Sequence, residues 1–257
     1  MKLNKLLQLL RDNAQQRAEG APAIRVEAAA DVAHIYVYDV IDAWWGANAV
    51  GLIQALAAAG DKPVRLHINS PGGDVFEALA MSAAIAAHTQ PVHAHVEGLA
   101  ASAATGLALA CADVAMTEGS LFMIHNSWTL GYGDKTELRA TADLLEKVDI
   151  GIAATYTKRT GASAEQVNAW MDAETWFTAA EAQAAGFIQA IESASQQDAS
   201  AQAGAARWNL SAYAHAPKLE QPAPRVDELA AGLLQASRNR LQLLGNSLAL
   251  QSATRPI

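Results

Sequence analysis

Strand-like and helical stretches alternate from about residue 31 to 192 in units of roughly 25–30 residues, a rhythm that demands crossover connections and a largely parallel sheet. The first strand is expected over 32–41, around Ile35 and Val37 with Tyr36 and Tyr38 between and beyond them. A helix over 47–59 follows, closed by Gly60-Asp61-Lys62-Pro63. Val64 to Asn69 reads as a strand, Ser70-Pro71-Gly72-Gly73 as a turn and 75–88 as a helix. Pro91 to Val96 reads as a strand, Ala101 to Ala112 as an apolar helix, and 113–117 and 121–125 as further strands. The fold class is therefore α/β, built of repeated βαβ units. Chemistry is expected at the carboxyl ends of strands, where such folds place their sites.

The flanks differ from this core. Residues 1–30 read as a loosely attached arm ending at Gly20-Ala21-Pro22, with a short amphipathic helix over 2–18. Residues 193–225, rich in Ser, Gln, Ala and Pro, read as a linker, interrupted by a docking segment around Trp208 and Leu210. Residues 226–257 read as a tail whose amphipathic helix carries Leu229, Leu233, Leu241, Leu244 and Leu248. The longest helix is expected over 135–159. Leu138, Leu145 and Ile152 recur at seven, which suits either a core face or a face buried on another subunit.

Bulk properties narrow the function classes. A net charge of -8 repels phosphate backbones, so nucleic acid is a poor partner. Cys111 is the single cysteine, set in the apolar run Ala108-Leu109-Ala110-Cys111-Ala112; it reads as a packing residue in a reducing, cytoplasmic setting. No apolar run is long enough to span a membrane, and the N-terminal Leu6-Leu7-Gln8-Leu9-Leu10 is too short for a signal peptide core. A phosphate-binding loop ending in Lys-Ser/Thr is missing, so any ATPase would be a separate partner. The histidines are scattered; His93 and His95 alternate on one strand face, and no metal or cofactor is expected.

Three local patterns carry chemistry. His67-Ile68-Asn69-Ser70-Pro71-Gly72-Gly73-Asp74 ends a strand in a turn whose N–H groups can bind an oxyanion or an extended peptide, although alone it is a plain tight turn. Gly98-Leu99-Ala100-Ala101-Ser102-Ala103-Ala104 sets one hydroxyl at the start of an apolar helix, where alone it would be an N-cap. Phe122-Met123-Ile124-His125-Asn126 delivers one imidazole at a strand end; it can act as a base only with a hydroxyl in reach.

In this order the three resemble the proteolytic subunit of the Clp protease family, over roughly residues 31–192. Gly131-Tyr132-Gly133, Thr160-Gly161, Glu165-Gln166 and the Phe177 to Gly186 stretch, similar to the family's closing helix, extend the match. The resemblance implies a crotonase-like core of βαβ units, with 135–159 as a long handle helix. It implies Ser102 as nucleophile, His125 as general base, the N–H groups of Gly73 and Ala103 as oxyanion hole, and Gly72, Gly73 and Asn126 as substrate-binding positions. The family's third triad member is Asp. Here the ungapped position from Thr160-Gly161 falls on Glu174, favoured over Asp172, with a backbone group orienting His125 as the remaining option.

The flanks look like the phage-encoded branch, similar to head maturation proteases. That branch implies a homo-oligomeric ring that cuts capsid and scaffold precursors in the host cytoplasm or inside the prohead. The alternatives are a housekeeping Clp peptidase serving an unfolding ATPase, a non-catalytic capsid assembly or scaffold protein, a crotonase-type enzyme acting on acyl-CoA, and a related signal-peptide peptidase with a Ser-Lys pair. The last would need a lysine base and a membrane anchor, and no membrane span is expected from this sequence.

Overall fold

The computed structural model describes residues 8–14, 22–29, 31–193 and 208–217, all within one compact unit; the unit spanning 220–257 lies outside the described residues. A single eight-stranded sheet organises it. Its strands are β1 (Ile24–Ala28), β2 (Ala33–Val37), β3 (Val64–Ser70), β4 (Val92–Ala101), β5 (Asp113–Thr117), β6 (Leu121–Ile124), β7 (Thr175–Thr178) and β8 (Ala190–Glu192). The helices are α1 (Ala49–Ala59), α2 (Val75–Ala87), α3 (Ala103–Ala110), α4 (Lys135–Thr160), α5 (Ala164–Asp172) and α6 (Ala179–Ala184). Strand order is β1-β2-β3-β4-β5-β8, parallel from β2 through β5 and β8, with β1 antiparallel at the edge.

Alternation decides which face each strand buries. Ile35 and Val37, Leu66 and Ile68, Val96, and Val114 and Met116 are fully enclosed in the main core, with Leu52, Met81 and Leu107 from the helices. The intervening Arg65, His67, His93 and His95 occupy the other face of the sheet.

The feature that shapes the site is a change of neighbour along β4. Its first half, His93 to Val96, pairs with β5; its last residues, Leu99 to Ala101, pair with β6. The register against β3 also shifts between Ile68 and Ser70. The sheet therefore splays where β4 ends, at the Ser102 turn.

Helix boundaries follow local chemistry. Asp74 caps α2 through the N–H groups of Phe76 and Glu77, and Asp134 and Glu137 form a capping box on α4. Gly161, at φ 71° and ψ 4°, ends α4 in the left-handed conformation. The βαβ core expected from the sequence is present. Several boundaries differ: the strand expected to end at Val96 runs on to Ala101, the apolar helix expected from Ala101 to Ala112 spans Ala103–Ala110, and the strand expected over 32–41 spans Ala33–Val37. Part of the expected loose arm, Ile24–Ala28, is a sheet strand. The expected closing helix is a short α6 preceded by β7, which pairs antiparallel with β6. Residues 208–217, which include the docking segment expected within the linker, pack on the core. The amphipathic helix expected within 226–257 lies outside the described residues. Among the described residues no helix is long and apolar enough to cross a membrane.

A second, smaller apolar cluster lies apart from the main core. Leu9, Leu99, Ala101, Met123, Leu210 and Tyr213 form it, flanked by Trp128, Trp176 and Trp208. It joins the arm, the splayed end of β4, β6 and residues 208–217.

Candidate active site

Ser102 sits between β4 and α3 with φ 54° and ψ -124°, a conformation that costs a non-glycine residue of order 1–3 kcal/mol. The surroundings impose it. The Ser102 N–H donates to Met123 O at 2.8 Å, and its carbonyl accepts from the Thr105 N–H at 2.9 Å. The hydroxyl makes no cap bond to its own helix. It lies 2.7 Å from Nε2 of His125, the residue immediately after β6. Parallel pairing of β4 with β6 thus joins two residues 23 positions apart. Burial pushes the imidazole down to about 4 from the usual 6.5, opposed by the negative charges of Glu174 and Asp149. The ring is therefore neutral at pH 7 and able to accept a proton.

The Pro-Gly-Gly turn lies beside this pair. Gly72 and Gly73 have φ of 85° and 147°, values that disfavour any side chain. A Cβ on Gly72 would lie 2.4 Å from Ala101 O, and one on Gly73 2.0 Å from Ile41 O. Ile41 donates to Gly72 O and accepts from the Asp74 N–H, at 2.8 and 2.7 Å. That pairing occupies one edge of the turn and points the Gly73 N–H to the opposite edge. Ala103 opens α3, so its N–H has no acceptor within the helix. The same hypothetical Gly72 Cβ would be 3.1 Å from Ala103 N, so the turn and the start of α3 adjoin.

The two acid candidates point elsewhere. Glu174, itself at φ 49°, accepts from the Ala214 N–H on Oε2 at 2.7 Å and from the His215 N–H on Oε1 at 2.6 Å. Trp176 Nε1 adds a contact to Oε1 at 3.2 Å. Asp172 Oδ1 accepts from Asn126 Nδ2 at 2.7 Å. Among the described residues, the hydrogen bond of the His125 ring is the one to Ser102. Glu174 nevertheless acts on His125 through its charge, whereas Asp172 is not among the groups that shift it.

A match described as Clp protease covers residues 21–195 of the chain. This chain belongs to the Clp protease family. It is 32% identical to the ATP-dependent Clp protease proteolytic subunit 1 of Protochlamydia amoebophila, over 66% of this chain and 85% of that protein. It is 36% identical to the subunit 1 of Chlamydia abortus, over 51% of this chain and 70% of that protein. Among solved structures, a mutant ClpP1 of Listeria monocytogenes superposes with a TM-score of 0.57 at 21% identity, covering 64% of this chain and 93% of its own. That last likeness concerns the fold. Family membership makes the chain a serine-type peptidase.

Two features escaped the sequence reading. Tyr213 is buried beside His125, and the cue available was the island Trp208-Asn209-Leu210 to Tyr213 in a stretch of small residues. His67, His95 and Glu97 come together on the sheet's outer face because His67 and His95 are register partners and Glu97 is two residues further on. Their ligand-type atoms lie within 4.8 Å of one another. Arg65 already brings a cation there, with Nη2 2.9 Å from His95 Nδ1 and 2.6 Å from Glu192 Oε2. The group reads as a hydrogen-bonded network. Cys111 is buried, and burial pushes its thiol far up, which fits the packing role expected of it.

Proposed function

We propose that this Clp-family protein hydrolyses peptide bonds with Ser102 as nucleophile and His125 as general base, the observation that carries this being their 2.7 Å contact beside the Gly72-Gly73 turn. His125 Nε2 takes the hydroxyl proton as Ser102 Oγ attacks the scissile carbonyl. The carbonyl oxygen becomes an oxyanion facing the N–H groups of Gly73 and Ala103, and each such donor is commonly worth about 3–4 kcal/mol. Collapse breaks the C–N bond, and the imidazolium returns its proton to the leaving amine. Water then attacks the acyl-serine with His125 again as base, releasing the carboxylic acid and regenerating the hydroxyl. Gly72, Gly73 and Asn126 border the position a peptide would take. Glu174 is the acid best placed to orient the imidazole, since its charge already acts on that ring.

The working form is a homo-oligomer. Along α4 only Ala153 and Tyr156 are buried, while Leu138, Leu144 and Ile150 are exposed. An isolated subunit would leave these to water, whereas a ring would bury them. Two readings of its place in the cell differ in substrate. The arm and the long C-terminal extension favour a phage-type enzyme trimming capsid and scaffold precursors. The relatives' description as ATP-dependent proteolytic subunits favours service to a separate unfolding ATPase.

The test is hydrolysis of a fluorogenic peptide and of an unfolded protein by the purified chain. Ser102→Ala and His125→Ala are each expected to lower the rate by about a thousandfold or more. Unchanged rates in folded variants would reject the assignment. Uncleaved head proteins accumulating in an infection or induction with Ser102→Ala would support the phage reading, and normal head processing would remove it.

A further inference from the structure

The contacts of residues 208–217 are concentrated on the catalytic centre. Tyr213 is 5% exposed, its ring meets His125 edge-on at 5.3 Å, and its hydroxyl donates to Pro71 O, next to the Gly72-Gly73 turn. That hydroxyl also interacts with the Ser102 side chain. The next two residues bind Glu174 through their backbone N–H groups, and His215 Nδ1 reaches Ala173 O at 3.0 Å. The segment is anchored away from the chemistry. Trp208 Nε1 donates to Asn69 Oδ1 at 3.1 Å. Asn13 and Asn209 exchange two bonds, of 3.1 and 2.6 Å, and Asn209 Nδ2 donates to Asp12 at 3.0 Å.

We propose that residues 208–217 are a built-in stopper of the peptidase site, an internal peptide that covers Ser102 and holds Glu174 away from His125, so that the catalytic group is complete only once the segment leaves. This rests on the peptidase reading above. Two consequences of docking act together. The phenol of Tyr213 occupies space beside the nucleophile that an acyl group needs. The carboxylate of Glu174 has both oxygens engaged by the backbone of residues 214 and 215, although its charge acts on the imidazole. A segment serving only as scaffold would have no need of the carboxylate whose charge acts most on the base. The groups it uses, a phenol and backbone N–H donors, are those an incoming peptide offers. The occupant that displaces it is therefore a polypeptide presenting an aromatic residue to the Pro71 carbonyl. Catalysis is then limited by the undocked fraction: a segment docked 99% of the time would slow the site about a hundredfold.

The test is the labelling rate of Ser102 by a fluorophosphonate in the full chain, in variants that loosen the segment. Asn13→Ala removes an anchor remote from the reacting atoms, and Tyr213→Ala removes the plug itself. The expected result is labelling about tenfold or more faster in Tyr213→Ala and severalfold faster in Asn13→Ala. A synthetic peptide of residues 208–217 should slow the Asn13→Ala variant again. The acid limb of the labelling rate should also rise above pH 4 in both variants, as the ring gains water and Glu174 becomes free, and should return toward 4 when the synthetic peptide rebinds to the Asn13→Ala variant. Labelling no faster than in the parent, in variants that melt as it does, would overturn the stopper while leaving the peptidase intact. Absence of Ser102 labelling in every variant would overturn both.

Discussion

At the scale of single residues, the site depends on backbone positions that tolerate little change. An alanine at Gly73 would drive its Cβ to 2.0 Å from Ile41 O in a φ region side chains avoid. With the Gly73 N–H in the proposed oxyanion hole, Gly73→Ala should lower peptide hydrolysis by about a hundredfold or more, with circular dichroism unchanged. Parent-like turnover would remove Gly73 from the oxyanion hole. His125 sets the acid limit. Because burial lowers its pKa to about 4, the imidazole stays neutral through pH 5–6, and labelling of Ser102 should fall only as pH drops through about 4. An acid limb near 6.5 would show the ring to be hydrated instead. The sign for stability is the same: the unfolded chain binds this proton first, so the contribution is complete above pH 6.5 and is lost as pH falls from there toward 4. Ser102, His125, Gly73 and Ala103 were named in the sequence through the ordered family resemblance, each local pattern alone being a plain turn, cap or strand end; what the structure adds is the contact between Ser102 and His125. Glu174 was legible as a position but its bonding was not, because its partners are backbone N–H groups 40 and 41 residues away, which leave no trace in side-chain pattern.

At the scale of elements, periodicity exposed the parallel strands β2 to β5 and the long α4, whose apolar or capping residues repeat. It did not expose β1, a five-residue edge strand of mixed composition, IRVEA, whose order comes from pairing with β2. Nor did it expose the antiparallel β6–β7 pair, which is four residues long and is fixed by contacts across the sheet. The helix α4 carries a testable local device. Asp134 accepts from the N–H groups of Thr136 and Glu137, so Asp134→Ala should cost about 1 kcal/mol in chemical denaturation. The exposed face of the same helix bears on assembly. Leu144→Asp should lower the oligomeric mass seen by native mass spectrometry while leaving the subunit folded. An unchanged assembly would exclude that face from the interface.

At the scale of the whole molecule, one sheet supplies both stability and chemistry. Its fully buried residues on the helix-covered face hold the strands in register, and truncating one, as in Leu66→Ala, should cost about 2–5 kcal/mol. The splay of β4 between β5 and β6 then brings the Ser102 turn, His125 and the glycine turn together. The arm and residues 208–217 meet on that same end through a separate apolar cluster, which sets Tyr213 against His125. The central claim is that Ser102 is a nucleophile made reactive by His125. Mass spectrometry of the chain after fluorophosphonate treatment tests it most directly. One covalent adduct per subunit, mapped to Ser102 and abolished or strongly slowed in His125→Ala, is the predicted result; a folded protein that acquires no adduct there, or acquires it at the same rate without the imidazole, would contradict it.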